Sequence, residues 1–211
     1  MSAAHQDTPA QGATPAPPVP PLLPRMSPAE VAAFTRYCAD ARAYVEFGCG
    51  GSTVVAAQTV RRQVIALDSD QRWLDKVSAA CAASGARTMP QLVCVDIGPT
   101  REWGYPLDAS RKADWPRYHE QVWGVDGADR ADLYMIDGRF RVACLLQALL
   151  RARGHATILF HDYASRPHYH VIEPFVQTLA HTEELAAFRR HRRFSREKAE
   201  ALLQQVRFDS R

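Results

Sequence analysis

The chain reads as an α/β protein with a doubly wound, mostly parallel sheet in a single domain. Three observations predict this. Short apolar runs alternate with stretches of helical length, the rhythm of a parallel sheet covered on both faces. The runs are continuous rather than alternating polar and apolar, as expected when both faces of a strand are buried. Each run also ends in an acid or a histidine, on the edge where open α/β sheets bind their ligands. The 211 residues suit one domain with a substantial core.

Eight of the 14 prolines fall in the first 28 residues. Residues 1–25 are expected to form a disordered Pro/Ala-rich tail, too poor in apolar surface to offset its ordering entropy. It reads as a solvated tail or as a partner-binding segment. The domain is expected over 26–211. Its first helix is announced by Ser27 as N-cap, Pro28 at the first helical position and Glu30 three residues past the cap, a capping-box start. "AYVEF" is a strand and "STVVAAQTV" a helix. "QVIAL" is a strand ending at Asp68. "DQRWLDKVSAACAAS" is a helix stopped by Gly85, and "QLVCV" a strand ending at Asp96. "ADLYMI" ends at Asp137. "RVACLLQALLRAR" is a helix closed by Gly154. "ATILF" ends at His161-Asp162. Residues 98–130 break the rhythm with Trp103, Trp115, Trp123, Tyr105 and Tyr118. Those aromatics read equally as a cover over an acceptor or as anchors into the core.

Composition narrows the function classes. With 46% hydrophobic and 23% charged residues the chain is ordinary for a globular protein. A net charge of +3 argues against nucleic acid as a partner. The five cysteines show no metal-ligand spacing and read as free thiols in a reducing compartment. No signal peptide and no span of about 20 apolar residues is apparent. The expectation is a cytoplasmic protein with a small-molecule partner and no membrane association; a homo-oligomer stays open.

The most informative stretch is Glu46-Phe47-Gly48-Cys49-Gly50-Gly51-Ser52-Thr53. Its glycines imply close backbone approach at the start of a helix. A dinucleotide fingerprint would place a third glycine where Thr53 stands, and a phosphate-binding P-loop would need a lysine that is missing. The segment instead resembles the first motif, E/D-x-G-x-G, of the class I S-adenosylmethionine-dependent methyltransferases. It is most similar to a small bacterial Rossmann-like branch that continues G-S-T, close to small-molecule O-methyltransferases. The resemblance spans about residues 26–165. It implies that Glu46, Gly48, Gly50, Ser52, Thr53, Asp68, Ser69, Asp96 and Ile97 bind S-adenosylmethionine. Asp68 would hold the ribose hydroxyls, since a carboxylate accepts two hydrogen bonds from a cis-diol. Asp96 and Ile97 would read the adenine, and Glu46 would engage the methionine end.

The resemblance places the chemistry after the fourth and fifth strands, at Asp137, His161 and Asp162. Two mechanisms stay open. In catechol-type enzymes an acid after strand four and an acid–amide pair after strand five hold magnesium, so Asp137 and Asp162 would help hold a divalent metal. His161 stands where that pair has its acid, and imidazole suits a hard cation poorly. The favoured alternative makes His161 the general base, its ring oriented by Asp137 or Asp162. Arg139 and Arg141 read either as holders of an anionic substrate group or as solvated first-turn residues. The basic run after Phe188 reads as a phosphate patch or as a solvated face. The expected function is methyl transfer to a small molecule, at oxygen. The rivals are an inactive nucleoside-binding module, a nucleic-acid methyltransferase lacking the expected tetrad, and an NAD-dependent oxidoreductase.

Overall fold

A computed structural model describes residues 20–211. Most of the expected tail lies outside the described residues. Seven strands form one sheet: β1 (Ala43–Phe47), β2 (Gln63–Asp68), β3 (Gln91–Cys94), β4 (Leu133–Ile136), β5 (Thr157–Phe160), β6 (Val176–Thr182) and β7 (Leu185–Arg190), in the order β3-β2-β1-β4-β5-β7-β6. Strands β1 to β5 are parallel, β3 forming one edge. β7 then pairs antiparallel with β5 and with β6. The single mostly parallel domain is therefore as expected, with an antiparallel hairpin added at one edge.

Six α-helices accompany the sheet: α1 (Pro28–Asp40), α2 (Gly51–Thr59), α3 (Gln71–Ala83), α4 (Arg117–Glu120), α5 (Arg141–Arg151) and α6 (Arg196–Val206). Ser27 and Glu30 close the capping box of α1 reciprocally, at 3.2 and 2.8 Å. Asp70 caps α3 by accepting from the amides of Arg72 and Trp73. No helix among the described residues is long and apolar enough to cross a membrane.

The core on one face of the sheet joins Phe47, Leu67, Ile136 and Phe160 to α5, nearly all of whose residues are buried. A second cluster seats α1 and Val60 against Tyr44, Met135 and Leu159. A fully buried Phe or Leu contributes about 1.5–3 kcal/mol over an exposed one, so these strands are fixed mainly by their inward-facing residues. The strand order reverses between β1 and β4. There Gly48 (φ +91°) and Gly138 touch so closely that a Cβ on Gly48 would overlap the Cα of Gly138. This contact brings the glycine loop after β1 and the Asp137 turn after β4 to one crevice, the place where such sheets bind ligands.

Candidate active site

The crevice is a cleft of about 1030 Å³ lined from both sides of the switch point. One end is built by the Gly48–Ser52 loop, Asp68-Ser69-Asp70 and Trp73; the other by Asp137, Arg139, Arg141, His161, Asp162 and Arg166.

At the first end, Glu46 is fully buried beneath the loop. Ser52 Oγ donates to its Oε1, and Thr53 Oγ1 donates to Oε2 at 2.6 Å. Thr53 Oγ1 also accepts from the Gly50 amide at 2.9 Å, so one acid and two hydroxyls set the loop's shape. Burial raises the Glu46 pKa to about 8, against the two hydroxyl hydrogen bonds that favour its charge. Trp73 Nε1 donates to the Cys49 carbonyl at 2.7 Å and ties α3 to the same loop. Asp68 stands at the tip of β2, its Oδ1 accepting from the amides of Ser69 and Asp70 at 2.7 and 3.2 Å. Burial raises its pKa to about 6 while those amides pull it back, so it is ionised at neutral pH.

Asp96 and Ile97 are not brought to this wall. Asp96 is exposed; its carboxylate accepts from the Gly98 amide at 2.9 Å and pairs with Arg111 at 3.0 Å. Ile97 points into the core. The cause is the insert, which folds back over the end of β3: a Cβ on Gly98 would touch the Arg111 stem. Thr53 likewise braces the loop from behind and does not line the cleft.

At the second end, Asp137, His161 and Asp162 do come together. His161 Nδ1 lies 3.1 Å from Asp137 Oδ1 and 3.8 Å from Asp162 Oδ1. Its other nitrogen, Nε2, faces Glu30 Oε1 at 3.6 Å. Burial alone would lower the His161 pKa. The hydrogen bond and charge of Asp137, with the charges of Asp162 and Glu30, outweigh it and raise the pKa. Asp137 thus stands where the general-base expectation placed an orienting acid, while the second ring nitrogen faces Glu30. The ring is 7% exposed, and each of its nitrogens is turned to a carboxylate. His161 lines the cleft with little exposed surface, and the neighbouring carboxylates are more open, Asp137 at 26% and Asp162 at 25% side-chain exposure.

The two arginines of the turn separate. Arg141 is buried at 3% side-chain exposure and binds structure on every side. It donates to the carbonyls of Gly138, His161 and Asp137 at 2.9, 2.5 and 2.9 Å, and its Nη2 lies 3.2 Å from Asp137 Oδ1 and 3.0 Å from Asp162 Oδ2. Arg166 adds a second cation on Asp162 Oδ2 at 2.9 Å. Arg139 also lines the cleft but forms no such web. Asp162 (φ +57°) and Phe140 (φ +54°) hold left-handed backbone on either side of the group. For a bulky residue such as Phe140 this is a strained conformation, kept by packing on Trp115 and Tyr118.

The donors of Asp137, His161 and Asp162 lie within 4.8 Å of one another, close enough to raise the magnesium reading. The fit fails on Arg141. Its guanidinium bridges both carboxylates, so a cation already stands between the acids that a divalent ion would need.

The insert divides by role. Trp115, Tyr118 and Trp123 anchor it, on Phe140, again on Phe140, and on Phe47 and Tyr134. Trp103 and Tyr105 line the cleft. Residues 22–26, four of them assigned to the tail in the sequence, line it too. Sequence reasoning also missed Glu30, whose capping role hid its place behind His161.

No family model and no curated protein sequence matches the chain. Among solved structures, a methyltransferase-like protein from Silicibacter pomeroyi is 32% identical, covering 90% of this chain and 98% of that one with a TM-score of 0.81. An O-methyltransferase from Bacillus cereus in complex with S-adenosylhomocysteine shares 14% identity over 79% of this chain and 82% of that one, with a TM-score of 0.51. An S-adenosylhomocysteine-bound methyltransferase from Podospora anserina shares 13% over 77% and 78%, with a TM-score of 0.54. The latter two are similar in fold alone. With a relative so similar along nearly its whole length, and with the glycine loop and strand-end acids at one switch point, the chain belongs to the class I S-adenosylmethionine-dependent methyltransferase family.

Proposed function

We propose that the protein methylates a small-molecule acceptor at oxygen. The observation that carries this reading is a single cleft holding the glycine loop and Asp68 at one end and the Asp137–His161–Asp162 group at the other. Its volume of about 1030 Å³ suits a nucleoside and a small acceptor together.

The first end fits S-adenosylmethionine. Gly48, Gly50 and Gly51 keep side chains out of the loop, Asp68 offers carboxylate oxygens for a cis-diol, and Ser69 Oγ is a buried polar atom with no partner among the described residues. When bound, that cofactor supplies an electrophilic methyl on a sulfonium. The residues of this chain do the rest. Glu46, Ser52 and Thr53 hold the loop's shape, and Asp68 orients the ribose. At the other end, orientation of the acceptor supplies much of the rate. Asp137, hydrogen-bonded to His161 and open to the cleft, takes the acceptor's proton. His161 positions Asp137 by the Nδ1 contact, and Asp162 is held beside it by Arg141 and Arg166. No step runs through a metal.

Thermal unfolding tests the reading. S-adenosylhomocysteine is expected to raise the melting temperature and NAD to leave it unchanged, because a ligand of the native state alone stabilises it. Asp68→Ala is expected to abolish the shift, while Asp137→Asn and His161→Ala keep it. A shift with NAD and none with S-adenosylhomocysteine would return the protein to the oxidoreductases.

A further inference from the structure

Arg139 is 7% exposed, yet its Nε and Nη1 have no hydrogen-bond partner among the described residues. Burying a cation without a partner is costly, and native proteins rarely do so without a use for it. The unspent donors belong to a wall of the cleft. The guanidinium lies over the Tyr105 ring, its Cζ 4.1 Å from the centroid. A second guanidinium, that of Arg101, approaches the same ring at 5.6 Å. Two like charges on one aromatic ring repel unless an anion joins them. Arg141 and Arg166 are satisfied by Asp137 and Asp162, so they cannot be what an incoming anion meets first.

We propose that Arg139, carried by Tyr105 and assisted by Arg101, is the oxyanion-recognition residue of the acceptor site, and that the methyl acceptor is a small molecule bearing a carboxylate or phosphate. The inference rests on the methyltransferase reading for the word acceptor, but not for the anion site. A guanidinium suits this task because it stays charged, stacks on an aromatic face and binds oxyanions through several fixed donors. The turn that presents it, locked by the left-handed Phe140 and its packing on Trp115 and Tyr118, also carries Asp137, and both residues line the same cleft. An acceptor anchored there by its anion presents its hydroxyl toward the carboxylate.

The test uses the full chain saturated with S-adenosylhomocysteine and titrated with inorganic phosphate or benzoate at constant ionic strength. Each is expected to raise the melting temperature of the wild type by a few degrees, about what tenfold excess over Kd gives, and neither to protect Arg139→Met. Without any anion, Arg139→Met is expected to melt at or above the wild type, since an unpaired buried charge has been removed. The affinity for S-adenosylhomocysteine is expected to stay within about threefold. If Arg139→Met fails to fold, Tyr105→Leu is expected to weaken phosphate protection about tenfold. Equal protection of wild type and variant overturns the proposal. So does a variant that loses S-adenosylhomocysteine but keeps 5′-methylthioadenosine, which lacks the carboxylate, because the anion would then be the cofactor's own. Arg139-dependent phosphate binding in a protein that ignores S-adenosylhomocysteine would keep the anion site and sink the methyltransferase reading instead.

Discussion

Glu46 shows how one residue can serve the loop and tax the fold. It is an acid with no exposure, and desolvation lifts its pKa from 4.5 to about 8. The folded state therefore holds a proton that the unfolded chain releases above pH 4.5. Its stabilising contribution is full below that value and is lost as pH rises toward 8, at about 1.4 kcal/mol per pH unit. His161, whose pKa is also raised, adds a slope of the same sign above pH 6.5. From Glu46 alone the protein without ligand is thus expected to melt about 3–5 °C lower for each unit gained between pH 6.5 and 8, and His161 adds to that fall. Glu46→Gln is expected to flatten that slope in calorimetry; an unchanged slope would mean that Glu46 is ionised in the native state. The residue scale is also where sequence reading met its limit. Arg139 and Arg141 stand two positions apart on one turn and looked equivalent. Only the position of the Asp137 and Asp162 carboxylates makes one a structural bridge and leaves the other free.

At the scale of elements, the strands most legible in the sequence were β1, β2, β4 and β5, because burial on both faces forces a continuous apolar run. For the same reason the ends of those runs put Asp68, Asp137 and His161 at the carboxyl edge of the sheet. β6 left no such mark: it is a sheet edge, five of its seven positions are exposed, and its pairing with β7 is carried by backbone. Asp96 misled because the insert that covers it packs by long-range aromatic contacts with no local periodicity. The Leu22–Met26 strap was equally hidden, since it runs on from the proline-rich tail without a break in pattern. Its backbone at Leu23-Pro24 lies directly on Gly51, and Arg25 sits 4.3 Å over the Trp103 ring, so it bridges the glycine loop to the insert across the cleft. Gly51→Ala would set a Cβ into the Leu23 carbonyl group and lift the strap. The expected result is about tenfold weaker S-adenosylhomocysteine binding and faster proteolysis near residue 23. In a chain that starts at Met26 the same substitution is expected to have little further effect, since the two changes act on one contact. Additive losses would show that Gly51→Ala weakens binding by a route other than the strap.

Across the whole molecule, the floor of the cleft draws its charges from distant parts of the chain and balances them. Glu30 comes from α1, Asp137 and Asp162 from the ends of β4 and β5, Arg141 from α5, and Arg166 from the segment after β5. The hairpin of β6 and β7 locks the arrangement from behind: the Glu184 amide donates to Glu30 Oε1 at 2.9 Å, and the Tyr163 amide donates to the Glu184 carbonyl at 3.0 Å. Three carboxylates face two guanidiniums and an imidazole whose proton they favour. That set is neutral with the ring protonated. A divalent cation added to it would bring two uncompensated charges into a largely buried site, at a cost of several kcal/mol. Magnesium and manganese are therefore expected to leave the melting temperature unchanged and to give no heat in calorimetric titration, and chelation is expected to be without effect. Glu30→Gln tests the same balance from the other side. Gln has one acceptor oxygen for the two amides, of Ser27 and Glu184, that Glu30 accepts from, so one of those bonds is given up, and the change also removes one negative charge beside Nε2. The His161 pKa, followed by its ring-proton NMR shifts, is expected to fall, because the imidazolium loses an attractive partner. A rise, or saturable magnesium binding by the wild type, would mean that the carboxylates are held for a metal and that Arg141 gives way to it.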